Sequence, residues 1–233
     1  MVFVVAELGV NWRGNIVILD RMLERCANAK LSAVKFQSLG KEFLDRHTEL
    51  SWYKDSSLTE ENVEWIDRLC KGYGLEWFST PSYPEAVGFL NKYVKRWKIW
   101  HDGRFREDII EQCLKTGKQV IISTSRPLEL DTLPEMYKDP LIKYVYCIPK
   151  YPCSFGEINF DMIKLLPGYS NHCLDPLAIL RAARYGAEYI EFHLSDALDQ
   201  FAPDNKISMS YPQMDEFMTW LKLDYKVIQY EDK

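Results

Sequence analysis

Eight short apolar runs recur along the chain of 233 residues, most of them separated by a segment of helical period, and this alternation restricts the fold more than any other feature. The runs are VFVVAEL (2–8), SAVKFQS (32–38), LEWFSTP (75–81), RWKIWHD (96–102), QVIISTS (119–125), IKYVYCIP (142–149), YSNHC (169–173) and EYIEFHLS (188–195). Between them, residues 15–29, 61–74, 106–117 and 175–186 place apolar side chains at the spacing of an amphipathic helix. Several of these segments end at glycine, as helices often do. Strands alternating with helices predict an α/β protein, a (β/α)8 TIM barrel occupying residues 1–233 as a single domain, with a doubly wound open sheet as the alternative. The longest loop is expected at about 39–60, and the terminal QYEDK is expected to fray or to pack outside the barrel.

A hydrophobic content of 47% is enough to fill such a core, which excludes wholesale disorder. The net charge of −5 argues against a nucleic-acid partner, which calls for a basic excess, but leaves room for a locally basic pocket. The start MVFVVAEL has no basic leader, and no apolar run reaches the roughly 18 residues of a membrane span. A cytoplasmic protein without a membrane partner is expected. The six cysteines form no CxxC pair and lie within apolar patterns, so reduced, buried thiols are expected rather than a disulfide framework.

In a barrel of this kind the site lies at the C-terminal ends of the strands. Polar residues converge there from all the runs. Glu7 ends the first; Lys35 and Gln37 share a face of the second; Thr80 ends the third; Lys98 lies in the fourth; Ser123 and Ser125 end the fifth; Tyr151 follows the sixth. Ser170 and His172 share a face of the seventh, and Glu191 and His193 share a face of the eighth. First and last strands are neighbours in a closed barrel, so Glu7, His172 and His193 can meet. A single strand histidine is ordinarily a hydrogen-bonded structural residue. Two at matching depth on adjacent strands are candidate ligands for a divalent ion such as manganese, iron, cobalt or zinc. Lys35 and Lys98 read either as buried ion-pair members or as cations awaiting an anionic substrate, because an unpaired buried ammonium is costly. The spacing alone points to a barrel enzyme for a phosphorylated or carboxylated small molecule.

The segments VAELGVNWRGN (5–15), AVKFQS (33–38), FSTP (78–81), KTGKQVIIST (115–124), YP (151–152), GYSNH (168–172), GAEYIEFH (186–193) and PDNKISM (203–209) occur in order. Together they resemble the N-acetylneuraminate (sialic acid) synthase family across essentially the whole chain. The resemblance implies a metal-dependent (β/α)8 barrel that condenses phosphoenolpyruvate with an aldose or N-acetylated amino sugar and releases phosphate and a 2-keto sugar acid. It implies that His172 and His193 hold the metal, typically Mn2+, which polarises the sugar aldehyde. It places Glu7 near C2 of phosphoenolpyruvate, matches Lys35, Thr80, Lys98, Ser123 and Ser170 to phosphoenolpyruvate positions, and sets Gln37, Tyr151, Glu191 and Asp204 near the metal or the sugar. Glu7, Lys35 and Asp204 are thus the catalytic candidates. Gln37, Thr80, Lys98, Ser123, Tyr151, Ser170 and Glu191 are the substrate-binding ones.

The chain also departs from that pattern. Asn11-Trp12-Arg13-Gly14 replaces Asn-His-Asn-Gly, and Trp100-His101-Asp102-Gly103 stands where a Ser-Gly-Glu segment is usual, putting the serine's phosphate contact in question. Arg104 and Arg106 are candidate replacements for that contact. Ile148-Pro149-Lys150 removes a polar sugar contact, and Ser170-Asn171-His172 replaces Ser-Asp-His. Typical members continue into an antifreeze-like domain that reaches the partner subunit's site. The chain ends with the barrel, so a homodimer or a separate chain supplying that domain is expected as partner. The competing reading is a diverged barrel that binds a sugar or metabolite without catalysis, as a sensor or assembly subunit. A synthase of the related shikimate or Kdo type fits the motifs less well.

Overall fold

β-Branched and aromatic side chains supply the outward-facing side of the apolar runs, and every run forms a strand. The computed structural model describes residues 2–47, 51–196 and 202–231, with side chains as far as residue 223. Its strands are β1 (Phe3–Glu7), β2 (Ala33–Ser38), β3 (Glu76–Pro81), β4 (Arg96–Ile99), β5 (Gln119–Thr124), β6 (Ile142–Cys147), β7 (Gly168–Asn171) and β8 (Tyr189–Leu194). They pair in parallel in chain order, and β1 also pairs with β8, which closes the barrel. A short β9 (Ser208–Met209) adds to β8.

The four expected helices are α1 (Ile16–Ala29), α4 (Val63–Gly72), α6 (Glu107–Lys115) and α7 (Leu177–Arg184). The segment expected as the longest loop instead contains α2 (Lys41–Arg46) and α3 (Ser51–Ser56), while residues 48–50 lie outside the described part. With six residues each, and the same for α5 (Glu85–Leu90), these helices are too short to display a helical period. The terminal α8 (Tyr211–Glu231) buries Met214, Phe217, Met218 and Leu221 at helical spacing. Gln229, Tyr230 and Glu231 continue its backbone rather than fraying; residues 232 and 233 lie outside the described part.

Two crossovers carry 3-10 turns where a regular barrel has α-helices: Leu130–Thr132 and Glu135–Lys138 after β5, Phe155–Glu157 and Phe160–Lys164 after β6. Pro127, Pro134 and Pro140 interrupt the first connection and Pro149, Pro152 and Pro167 the second. Proline removes a helical donor and clashes with the preceding turn, so neither segment sustains an α-helix.

The period of two divides each strand between an apolar layer under the helices and a polar interior. Ile190 and Phe192 face outward as expected; both are fully buried, and Phe192 meets Phe217 of α8 edge-on at 6.1 Å. Burying such a side chain contributes about 1.5–3 kcal/mol. Alternate residues point into the barrel, where register brings Glu7 level with both Lys35 and His193, Gln37 level with Thr80, and Ser170 level with Glu191. All six cysteines are free and buried, in keeping with the reduced thiols expected. Among the described residues no helix is long and apolar enough to cross a membrane.

Candidate active site

The floor of the site is a buried set of two lysines and two carboxylates. Lys35 on β2 forms an ion pair with Glu7 and lies 3.4 Å from Glu191 Oε1, and its ammonium donates to Thr80 Oγ1 at 3.1 Å. Lys98 on β4 donates to Ser123 Oγ at 2.7 Å and lies 3.8 Å from the same oxygen of Glu191. Ser170 donates to Glu191 Oε1 at 3.2 Å, and the Tyr189 hydroxyl donates to Oε2. Glu191 therefore gathers donors from β2, β4, β7 and its own strand. Of the two readings of the lysines, the ion-pair reading holds in this state: their charge is balanced by Glu7 and Glu191 within the protein.

The balance is uneven. Burial acts against ionisation of Glu191, but Lys35, Lys98 and the Tyr189 hydroxyl outweigh it and bring the carboxyl down to about 2. Burial also opposes the Lys35 charge, yet Glu191 and Glu7 raise its ammonium above the ordinary value. Lys98 moves the other way, since burial is only partly offset by Glu191 and Lys35 repels it. Burial raises the Glu7 carboxyl despite Lys35 and His193 beside it. Gly9, at φ +28°, crosses directly over this group, and a Cβ there would come within 2.2 Å of Glu7 Oε1. The strained backbone and the close approach both require glycine.

The imidazoles stand next to this set, His193 level with Glu7 and His172 on the neighbouring strand's end. His172, just past β7, has Nδ1 2.8 Å from the Ile148 carbonyl. A carbonyl only accepts, so Nδ1 carries the hydrogen and Nε2 keeps its lone pair. Burial, with His193 nearby, brings this imidazole down to about 3. His193 has Nδ1 3.0 Å from Asp204 Oδ2. Burial lowers its proton affinity, but Asp204 more than offsets this and raises it, while His193 in turn lowers Asp204 against the effect of burial. The two rings are 5.6 Å apart, and Tyr151 packs on His172 at 4.2 Å.

Two imidazoles at this separation, one with its nitrogen lone pair fixed by a backbone carbonyl, fit two ligands of one divalent ion, for which metal–nitrogen bonds are about 2.1 Å. Among the described residues no three His, Cys, Asp or Glu side chains gather as a metal site. The remaining ligands of such an ion would be water or substrate oxygens.

A cavity of about 240 Å³ opens between the lysine floor and the imidazoles. Lys35, Gln37, Thr80, Lys98, Ser123, Ser170, Glu191 and His193 line it from the strands, and Tyr151, His172 and Asp204 from the connections that follow them. Glu7 does not: its carboxylate is taken up by Lys35, with the Gln37 amide 3.5 Å away. Ser125 is exposed at the rim.

Several site residues were missed by the sequence reading. Tyr189 and Cys147 fall on the inward period of β8 and β6, so that signal was present. Phe43 and Tyr53, which also line the cavity and meet edge-on at 5.1 Å, come from α2 and α3, and no periodic pattern announces them. The departures are equally specific. Trp12 packs on Trp65 and Arg13 lies over Trp52, both against neighbouring helices. His101 lines the cavity, with Nδ1 2.9 Å from Asp102 Oδ1 and Nε2 3.4 Å from Ser125 Oγ. Arg104 donates to the His101 carbonyl at 2.6 Å, Arg106 pairs with Asp108 at 2.6 Å, and Lys150 pairs with Glu157. None of these three cations lines the cavity. Asn171 builds a local turn, donating to the Cys173 carbonyl and accepting from its amide.

The model of the NeuB family matches residues 22–232. An uncharacterized protein of Methanocaldococcus jannaschii is 28% identical over 244 residues, covering 97% of this chain and 72% of its own length. The N,N'-diacetyllegionaminic acid synthase of Legionella pneumophila is 26% identical, covering 91% of this chain and 69% of its own. In three dimensions the chain superposes on the N-acetylneuraminic acid synthetase of Leptospira borgpetersenii with a TM-score of 0.88 at 23% identity, over 97% of this chain and 85% of the other.

Proposed function

Because this chain belongs to the NeuB family, a family of sugar-acid synthases, we propose that it joins phosphoenolpyruvate to the open-chain aldehyde of an aldose or N-acetylated amino sugar, yielding a 2-keto sugar acid and phosphate. The observation that carries this reading is the cavity itself. Two ammoniums and three hydroxyl groups face one wall, and two imidazoles with a neighbouring carboxylate face the other. An anion with two charged groups suits the first wall, and a carbonyl acceptor suits the second.

In this reading Lys98, Ser123 and Ser170 receive the phosphate, and Lys35 with Thr80 receives the carboxylate. Lys98 is already ordered by Ser123 and Ser170 by Glu191, so the main rearrangement on binding falls on Lys35. As Lys35 turns to the ligand it uncovers Glu7. The new bond joins C3 of phosphoenolpyruvate to the aldehyde carbon, the aldehyde oxygen takes a proton, and positive charge develops at C2. Glu7 and Glu191 stabilise that charge. Glu7, whose carboxyl burial raises, is suited to accept a proton from the water that adds at C2 before phosphate departs. His172 and His193 would hold a divalent ion, Mn2+ by family expectation, and when bound it supplies Lewis acidity toward the aldehyde. Tyr151, tilted over His172 and still half exposed, forms the outer edge of the acceptor side.

Phosphate release from phosphoenolpyruvate tests this, using the purified chain, a panel of aldoses and amino sugars, and either Mn2+ or a chelator. Acceptor-dependent release that the chelator abolishes is the expected result. No release with any acceptor, together with no calorimetric binding of phosphoenolpyruvate, overturns the reading.

A further inference from the structure

We propose that Asn11 is a positioning residue that holds His193 through Asp204. Asn11 follows β1, almost two hundred residues from the groups it touches, and is 1% exposed. Its Nδ2 donates to the Leu194 carbonyl at 2.9 Å and to Ser208 Oγ at 2.9 Å. Its Oδ1 accepts from the Asp204 amide at 3.0 Å. Ser208 Oγ in turn donates to the Asp204 carbonyl at 2.7 Å. Both backbone groups of Asp204 are thus tied to Asn11, one directly and one through Ser208. With its amide and carbonyl fixed, Asp204 has its Cα–Cβ direction fixed, and its carboxylate lies 3.0 Å from His193 Nδ1.

Only asparagine supplies this pattern at this size. Two donor hydrogens and an acceptor are needed, and all three are engaged. Aspartate would set acceptor against acceptor at Leu194 and Ser208; leucine would leave the Asp204 amide without its partner. What Asn11 sets is the ring orientation and tautomer of His193. A carboxylate 3.0 Å from Nδ1 favours the proton on that nitrogen and leaves Nε2 as the metal-binding one, and outer partners of this sort typically change metal affinity 10–100-fold when removed.

The inference rests on the reading that His193 holds a divalent ion, and the experiment separates the two. Asn11→Ala, Ser208→Ala, Asp204→Asn and the double variant Asn11→Ala/Asp204→Asn are compared with the native chain. One readout is Mn2+ affinity by calorimetry. The other is the His193 tautomer in the metal-free protein, from long-range ¹H–¹⁵N spectra at a pH high enough to leave the ring neutral. Asn11→Ala is expected to weaken Mn2+ binding about tenfold and to abolish the single Nδ1–H signature. Ser208→Ala, which cuts one anchor only, is expected to do the same to a smaller degree. On the Asp204→Asn background, Asn11→Ala should add no further loss, since coupled residues are non-additive. Fully additive losses, or an unchanged tautomer in both Asn11→Ala and Ser208→Ala, overturn the proposal. Absence of Mn2+ binding by the native chain overturns the metal reading alone, and the tautomer spectra then decide the role of Asn11.

Discussion

Lys35 and Lys98 occupy corresponding inward positions on β2 and β4, yet their electrostatic situations are opposite. Lys35 is held as a cation by two carboxylates, whereas burial lowers Lys98 despite Glu191. Methionine in place of each should separate folding from binding. Lys35→Met strands Glu7 and half of the Glu191 neutralisation, and is expected to cost about 3–5 kcal/mol in denaturant unfolding. Lys98→Met removes a charge that burial already disfavours and is expected to change stability by less than about 1 kcal/mol. It should nevertheless weaken phosphoenolpyruvate about 30-fold, corresponding to about 2 kcal/mol for a charge-assisted contact in a desolvated site. Equal stability losses for the two variants would show that the ion-pair assignment is wrong. Both lysines were legible in the sequence, because lysine on the inward period of a core strand is anomalous. Their partners were not, since Glu7, Ser123 and the shared Glu191 come from β1, β5 and β8.

Secondary-structure elements act here as carriers. β7 and β8 bring His172 and His193 to one level because each strand presents its imidazole two residues beyond another inward polar group, Ser170 and Glu191. If the pair holds a metal, calorimetry should show one Mn2+ per chain for the native protein and none for the His172→Ala/His193→Ala double variant. Equal binding by both would place any ion elsewhere. Helix ends follow similarly local rules. Asn15 caps α1, its side chain accepting from the amides of Val17 at 2.9 Å and Ile18 at 3.3 Å. Asn15→Ala is expected to cost about 1 kcal/mol in thermal or denaturant unfolding; an unchanged midpoint would assign those amides to solvent instead. Long elements with a sustained period were readable from the sequence. α2, α3 and α5 were not, because six residues do not complete two turns of a pattern.

For the molecule as a whole, the His172 imidazole couples folding to pH. In the metal-free protein, burial holds it near 3 against an ordinary value of 6.5. As pH falls below 6.5 the unfolded chain takes up a proton that the folded chain refuses, so stability is lost toward acid, by up to about 1.4 kcal/mol per pH unit down to about pH 3. In a chelator-treated sample, the slope of unfolding free energy between pH 6 and 4 should flatten in His172→Asn; an identical slope would assign the acid sensitivity to other groups. The barrel itself was written in the sequence, since eight apolar runs separated by connections of sufficient length leave parallel closure as the economical way to bury both faces. The inward positions followed from the period of two, which placed the strand-borne residues of the site, whereas Asp204 came only from the family resemblance. Only the tertiary structure decided that Lys35 pairs with Glu7 and so removes Glu7 from the cavity wall. It alone decided that Phe43 and Tyr53 join the site from short helices, and that Asn11 anchors Asp204 across the seam between the first and last strands. The reason is physical. Periodicity reports which face of its own element a side chain occupies, whereas ion pairs, helix placement and cross-seam hydrogen bonds depend on distances between residues that only closure of the barrel brings together.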